Sequence, residues 1–419
     1  MRHLCILLLC VSIYPNQSSA DYAPLSQVLA QRERFRSVEG NPEEDKRSSV
    51  LRQRLAAFEA IVGNYEHALE IFEGPRNGPI KFSVPELDGT FAVKPADLVI
   101  ADLAKGNDLL SINEAHHVAA HRSLLLSLLE RLYSAGYRHL ALEGLNPSDS
   151  DIHVRGFAEV GKSGAYLNEP TYGEIVRRGL ELGFQLIAYD NPPSCERPPE
   201  EQNECANDRQ RWQAASVERQ VRASRIDGKI VLLVGYSHGA LTQRGGFTPM
   251  ASILAVNMGL RHLSVDQTTF GPFSQKYGTE TPTETLARRL AVTGPFVLTN
   301  AEVVPFVPAP LHGLHSIVVF WPNRSLEDGR PAWLVAGLRR KRVIADISAC
   351  EKRRPMLVQA IPAKEPETAV PVDQVLMEDL HNPGPLYLRS GRYRIVCRTQ
   401  NSPAASAGEI EVLESSLGQ

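Results

Sequence analysis

IVLLVGYSHGAL, residues 230–241, reads as an apolar strand that runs into a Gly-Tyr-Ser-His-Gly turn. Such a run, bounded by glycine, is the pattern of a strand buried on both faces, as in a parallel sheet covered by helices. Two chemistries compete for its carboxyl end. The pentapeptide fits G-x-S-x-G, which presents a serine nucleophile on a tight strand-to-helix turn and points to Ser237. The other reading puts the chemistry on its neighbour, His238.

The surrounding sequence repeats the same unit. DLLSINEA (108–115) is a short apolar run that ends in polar residues, and HHVAAHRSLLLSLLERLYSAG (116–136) is a helix stopped by Gly136. HLALEG (139–144) is a second buried strand. TYGEIVRRGLELG (171–183) opens on a Thr171/Glu174 capping box and closes at Gly183. FQLIAYD (184–190) is a strand, and residues 207–228 form a long helix with a polar face. Strands alternating with helices predict a mostly parallel sheet flanked by helices, an α/β fold, over residues 86–300.

The two ends differ in texture. LRQRLAAFEAIVGNYEHALEIF (51–72) has helical spacing broken at Gly63, so residues 21–85 read as a helical N-terminal region. A Gly/Pro-rich stretch, residues 73–89, marks its boundary. Beyond residue 300 prolines are frequent, and HSIVVFW (315–321), RVIADISAC (342–350) and GRYRIVCRT (391–399) read as strands of a smaller β-rich region, 301–419. LYLRSGRYRIVC (386–397) alternates with period two, as in an antiparallel sheet.

Composition bounds the function classes. The chain has 419 residues, is 43% hydrophobic and 22% charged, and carries a formal net charge of -3, which gives no electrostatic case for nucleic acid. No internal stretch is long and apolar enough to span a bilayer. At the N-terminus, Arg2 and His3 precede an apolar run from Leu4 to Tyr14 and then Ser18, Ser19 and Ala20. This is the layout of a signal peptide over 1–20, cut after Ala20, which predicts a secreted or periplasmic protein. Four cysteines remain, and in an exported chain they predict two disulfides, Cys195–Cys205 and Cys350–Cys397.

In a parallel sheet, functional groups collect at the carboxyl ends of the strands. Those ends are INEAHH, LALEG, IAYD and VGYSHG, and they bring Glu114, His116 or His117, Glu143, Asp190 and His238 to one edge. Imidazoles facing carboxylates suit general-base chemistry or a divalent metal, zinc or manganese. The serine reading needs a long helix behind Ser237, yet Gly245, Gly246 and Pro249 follow closely. Its partners would be Asp266 with His312 or His315.

These residues resemble the superfamily that groups erythromycin esterases, the haem-uptake protein ChaN and the Tiki proteases. The pattern there is a strand ending in G-E-x-H, a helix with a further His, a strand ending in Glu and a late strand ending in G-x-x-H. Here NEAHHVAAH supplies Glu114, His116 and His121, LALEG supplies Glu143, and GYSH supplies Gly235 and His238. Asn113 stands where that family usually has Gly. Its esterase members use E-x-x-H, which selects His117; its ChaN-like members use E-x-H, which selects His116, and His121 fits the ChaN-like spacing.

The resemblance implies hydrolysis of an ester or amide in a small-molecule or peptide substrate. His116 would be the base, Glu114 its orienting carboxylate, and Glu143 and His238 groups that hold the substrate carbonyl or, with the other two, a metal. It also implies an alternative, a haem carrier without catalysis, in which Tyr189, Tyr236 or the histidines are axial ligands. An α/β-hydrolase that uses Ser237 is the third expectation.

Overall fold

The computed structural model describes residues 23–38, 45–73, 91–195, 197, 201–272, 282–322, 326–335, 338–350, 353–378, 384–400 and 402–414. The signal segment expected over residues 1–20 lies outside the described residues. The helices are α1 (Ala23–Val38), α2 (Asp45–Ile61), α3 (Tyr65–Glu73), α4 (Ala96–Ala104), α5 (Ala119–Ser134), α6 (Ile152–Arg155), α7 (Pro170–Leu182), α8 (Gln202–Ser224), α9 (Met250–Met258) and α10 (Pro282–Arg289).

Eight strands build the central sheet: β1 (Ala92–Pro95), β2 (Leu109–Glu114), β3 (Tyr137–Leu142), β4 (Gln185–Ala188), β5 (Lys229–Gly235), β6 (His262–Phe270), β7 (Phe296–Thr299) and β8 (Ile317–Phe320). Their order is β1-β7-β8-β6-β2-β5-β3-β4. The pairs from β8 to β4 are parallel; β7 pairs antiparallel with both β1 and β8. This is the mostly parallel α/β sheet that the strand-helix alternation predicts.

The period of two in the strands assigns the helices to faces. Leu110, Ile112, Leu140, Leu142, Val231 and Leu233 pack in one cluster with residues of α4, α5 and α7. The alternate residues Leu109, Ala141, Ile230, Leu232 and Val234 pack with Ala214 and Val217 of α8 and Met250, Ala251 and Leu254 of α9. Both faces are therefore dry, which is why β5 is apolar almost throughout. Truncating a fully buried leucine such as Leu232 to Ala is expected to cost about 2–5 kcal/mol.

The C-terminal region adds a short pair, β9 (Leu326–Glu327) with β10 (Arg330–Pro331), and the pair of β11 (Lys341–Val343) with β14 (Leu386–Leu388). Its main sheet is antiparallel, in the order β13 (Asp373–Met377), β12 (Met356–Pro362), β15 (Gly391–Thr399), β16 (Ala405–Val412). One face of β12 buries Met356, Val358 and Ala360 in the core of this region; on the other, Leu357 packs with Leu25, Val28 and Leu55 of α1 and α2. Disulfides join Cys195 to Cys205, Cα atoms 5.8 Å apart, and Cys350 to Cys397, 6.0 Å apart. Both pairings are those expected for an exported protein. Among the described residues, no helix is long and apolar enough to cross a membrane.

Four local readings are corrected. The strand in HSIVVFW belongs to the central sheet: Ile317–Phe320 pairs parallel with β6 and all four residues are buried. Only Arg342 and Val343 of RVIADISAC are strand, the end of Lys341–Val343; Asp346 accepts the Ser348 N–H in a turn. The helix after Glu114 starts at Ala119, not His116, because side chains take its first backbone partners: Arg122 donates to the His116 carbonyl and Ala115 N–H donates to His121 Nδ1. No capping box opens α7. Glu169 caps it, accepting from Thr171 N–H and Tyr172 N–H, and Thr171 sits inside the first turn.

Candidate active site

Four neighbouring strands deliver the site. Glu114 closes β2 and pairs in register with Gly235, the last residue of β5. Glu143 follows β3, and Tyr189 and Asp190 follow β4. Because β2, β5, β3 and β4 run parallel, these residues share the carboxyl edge of the sheet.

Glu114 is buried and fully engaged. Arg122 Nε donates to Oε2 at 2.6 Å and Arg122 Nη2 to Oε1 at 2.8 Å, a two-pronged charge-assisted pair. Burial pushes the carboxyl up, but the guanidinium and the His116 hydrogen bond outweigh it and hold Glu114 down to about 2. An ionised carboxylate can only accept, so the 2.9 Å contact from Oε1 to His116 Nδ1 fixes the proton on Nδ1. Among the described residues His116 Nε2 has no hydrogen-bond partner, and it keeps its lone pair. Arg122 is itself tied to Glu169, which also accepts from Tyr65 of the N-terminal helices.

The His116 ring is clamped. It stacks on Tyr166 with centroids 4.3 Å apart and meets Tyr236 edge-on at 5.8 Å. Gly144, at φ +79, makes that stacking possible, since a Cβ there would lie 2.8 Å from the Tyr166 ring.

Gly235 lies directly against Nε2. A Cβ at this position would lie 2.8 Å from His116 Nε2 and 3.0 Å from Glu143 Oε2. The missing side chain lets a base and a carboxyl meet over one backbone position, a cradle that a Cβ would fill. Glu143 accepts from the Gly235 N–H, and Arg209 of α8 reaches its other oxygen at 3.3 Å. Burial and the Asp190 carboxylate raise the Glu143 carboxyl, against His116, Arg209 and the Gly235 N–H. Asp190 accepts from Arg209 at 2.8 Å and from Gln213 at 2.6 Å.

His238 lies in a 3₁₀ turn, Tyr236–Gly239. Gln210 Oε1 contacts its Nδ1 at 2.7 Å and accepts the Met250 N–H as well. The backbone donor fixes that atom of Gln210 as an acceptor, so His238 carries its proton on Nδ1 and presents a bare Nε2. Burial, Arg209 and His116 all disfavour the cation and hold His238 down to about 3. At neutral pH it accepts a hydrogen bond and does not donate one from Nε2.

The other expected residues serve the frame. His117 points away and stacks on Phe72 of α3 at 3.7 Å. His121 is buried behind the strand ends, accepting the Ala115 N–H. The Tyr189 hydroxyl donates to the Leu233 carbonyl. Asn113, in place of glycine, ties β2 to β6: its Nδ2 donates to Asp266 and to the Tyr236 carbonyl, and its Oδ1 accepts the Gln267 N–H. Ser237 is exposed, and the strained residue of its turn is Tyr236 at φ +43. His312 Nε2 is bonded to the Val307 carbonyl and His315 Nδ1 to the Ser264 hydroxyl, so neither is hydrogen-bonded to Ser237.

The set Glu114, His116, Glu143 and His238 does not fit a divalent metal. Both Glu114 oxygens are bound to Arg122 and His116, and guanidinium groups stand beside both glutamates. Among the described residues, no three His, Cys, Asp or Glu side chains converge to hold an ion. A haem fits no better through the tyrosines, since burial and nearby carboxylates favour the neutral phenol at both Tyr189 and Tyr236.

Sequence reading missed Arg122, Arg209, Tyr166, Glu169 and Gln210. Arg122 stands eight residues after Glu114 on the inner face of α5, and Arg209 and Gln210 lie on a helix that reads as merely polar. No family model matches the chain, and no curated protein matches it. Among solved structures, that of the type III effector HopBA1 is similar over 43% of this chain and 87% of its own, at 17% identity and a TM-score of 0.31.

Proposed function

We propose that the chain is an exported hydrolase of an ester or amide bond, with His116 as general base. The observation that carries this reading is the Glu114–His116 contact, which leaves Nε2 against Gly235 beside a carboxyl of raised pKa. A carboxylate that fixes the tautomer and stabilises the imidazolium is the arrangement of known histidine bases.

In this mechanism Nε2 takes a proton from water, and the hydroxide attacks the carbonyl carbon. Glu143, in its acid form, gives its proton to the departing oxygen or nitrogen as the acyl bond breaks. The imidazolium then returns the captured proton to Glu143, so one water is consumed and both groups are restored. His238 Nε2, an acceptor, orients the attacking water or a substrate N–H or O–H group. The test is a panel of aryl esters and a peptide library. Turnover by the parent is expected, with a loss of about 100- to 10,000-fold in His116→Ala. Equal turnover by that variant overturns the assignment.

A further inference from the structure

A second site lies away from these residues. A cavity of about 1410 Å³ runs between α4, α5 and the C-terminal region. None of Glu114, His116, Glu143 or His238 lines it. Its wall includes Arg340, Trp321 and Trp333.

Arg340 is only 5% exposed, yet both its terminal nitrogens, Nη1 and Nη2, lack a hydrogen-bond partner. Trp321, also 5% exposed, has an indole N–H without an acceptor. Buried donors are nearly always satisfied, and an unpaired buried cation is among the costliest exceptions. Of the other cations on the wall, Arg389 pairs with Glu174 at 2.7 Å, Arg178 with Glu130 at 3.3 Å and Lys105 with Asp102 at 2.8 Å, while Arg131 and Arg339 are exposed to solvent. Asp97 and Glu414 also line the cavity, and neither pairs with Arg340. What Arg340 lacks is an acceptor for its planar, two-pronged donor.

We propose that this cavity binds a small organic oxyanion, a carboxylate or phosphate, with its charged end on the Arg340 fork and its body against Trp321 and Trp333. Arginine pairs both groups bidentately, and the indole faces supply apolar contact while the Trp321 N–H takes a second acceptor of the ligand. Carboxylate and phosphate share this chemistry, so the test separates them.

Full-length protein is titrated with benzoate, phenyl phosphate and the neutral isostere benzamide, following tryptophan fluorescence and thermal unfolding. Saturable binding of benzoate, of phenyl phosphate or of both is expected, with benzamide at least tenfold weaker, and the preferred anion names the group. Arg340→Gln is expected to weaken the anion by about ten- to a hundredfold, the worth of hydrogen bonds to a charged group. Trp321→Phe is expected to diminish the fluorescence response. Without ligand, Arg340→Met should unfold no earlier than the parent, because it removes an uncompensated charge. If Arg340→Gln fails to fold, Arg340→Lys replaces it, keeping the charge and losing the fork, with a loss of at least threefold expected. No saturable binding of either anion at millimolar concentration overturns the site, as does unchanged affinity in the folded Arg340 variant. Hydrolysis plays no part in these readouts, so the site stands or falls apart from the catalytic reading.

Discussion

Glu114 and Gly235 are direct partners across β2 and β5, and that register sets the base over the one strand-end residue without a side chain. Gly235 has φ -74 and ψ 137, a conformation open to any residue. Gly235→Ala is therefore expected to keep the sheet but to place a methyl within 3.0 Å of His116 Nε2 and Glu143 Oε2. Turnover should fall at least tenfold, and the overpacking should cost about 1–3 kcal/mol of stability without unfolding the sheet. A variant as active as the parent would mean that the cradle is not where chemistry occurs.

Changing the carboxylate beside His116 and its guanidinium partner in turn separates orientation from folding. Glu114→Gln keeps the shape but presents a neutral amide to Nδ1, so the tautomer is no longer enforced. By analogy with triad carboxylates the rate should drop by up to about 10,000-fold, and the fold should hold because Arg122 keeps Glu169 as a counter-charge. Arg122→Met leaves Glu114 buried without its counter-charge and is expected to destabilise the protein by about 3–5 kcal/mol. Chemical denaturation distinguishes the two: if Arg122→Met unfolds at the parent's midpoint, the buried pair is not the anchor described above.

Ser237→Ala is expected to retain most activity, and the parent should resist a fluorophosphonate probe. The hydroxyl is exposed, and among the described residues no imidazole is hydrogen-bonded to it. His238→Ala should be much slower, since it removes the acceptor that Gln210 holds in place. Labelling at Ser237, with loss of turnover in Ser237→Ala, would restore the serine reading.

The α/β core was legible because its signal is collective. Each strand is a short apolar run, each ends at a glycine or carboxylate, and parallel pairing puts all such ends on one edge. Glu114, Glu143 and Asp190 follow from that rule alone. The choice of His116 over His117 needed geometry: adjacent residues point in opposite directions, and only His116 turns back to Glu114. Local pattern places the strand at 317–320 in the C-terminal region because proline-rich sequence surrounds it; its parallel pairing with β6 is a long-range contact that such pattern does not encode. Arg122 and Arg209 were invisible for a related reason. A buried arginine is specified by the carboxylate it meets, and that carboxylate is on another element.

The two disulfides differ in what they are expected to contribute. Cys350–Cys397 closes a loop of 47 residues and Cys195–Cys205 one of 10. In the chain-entropy picture the first stabilises by about 4 kcal/mol and the second by about 3 kcal/mol. Double replacement by alanine at each pair, followed by denaturant unfolding, should rank them in that order. Alkylation of the native, unreduced protein should label none of the four thiols; labelling of all four would remove both cross-links.

Acid should destabilise the protein before its carboxylates titrate. His121 is buried, and burial pushes it down to about 3, while the Ala115 N–H donates to its Nδ1 and requires a lone pair there. Its unfolded value is near 6.5. Between about pH 6.5 and 3 the unfolded chain therefore takes up a proton that the native state refuses, and the native state loses stability as the pH falls. Each such proton gives a slope of about 1.4 kcal/mol per pH unit. Glu114 acts in the same direction but later: its carboxyl is held at about 2 in the fold, so its contribution is present above the ordinary carboxylate range and is lost from about pH 4.5 downward. Urea unfolding at pH 7.5, 6.0 and 5.0 should thus show falling stability while Glu114 is still ionised in both states. His121→Asn, whose Oδ1 takes the place of Nδ1 as acceptor, should be less stable than the parent at pH 7.5 but lose about one proton's worth of slope below pH 6. An unchanged slope in that variant would assign the acid sensitivity to other groups and leave His121 without the buried, neutral role given to it here.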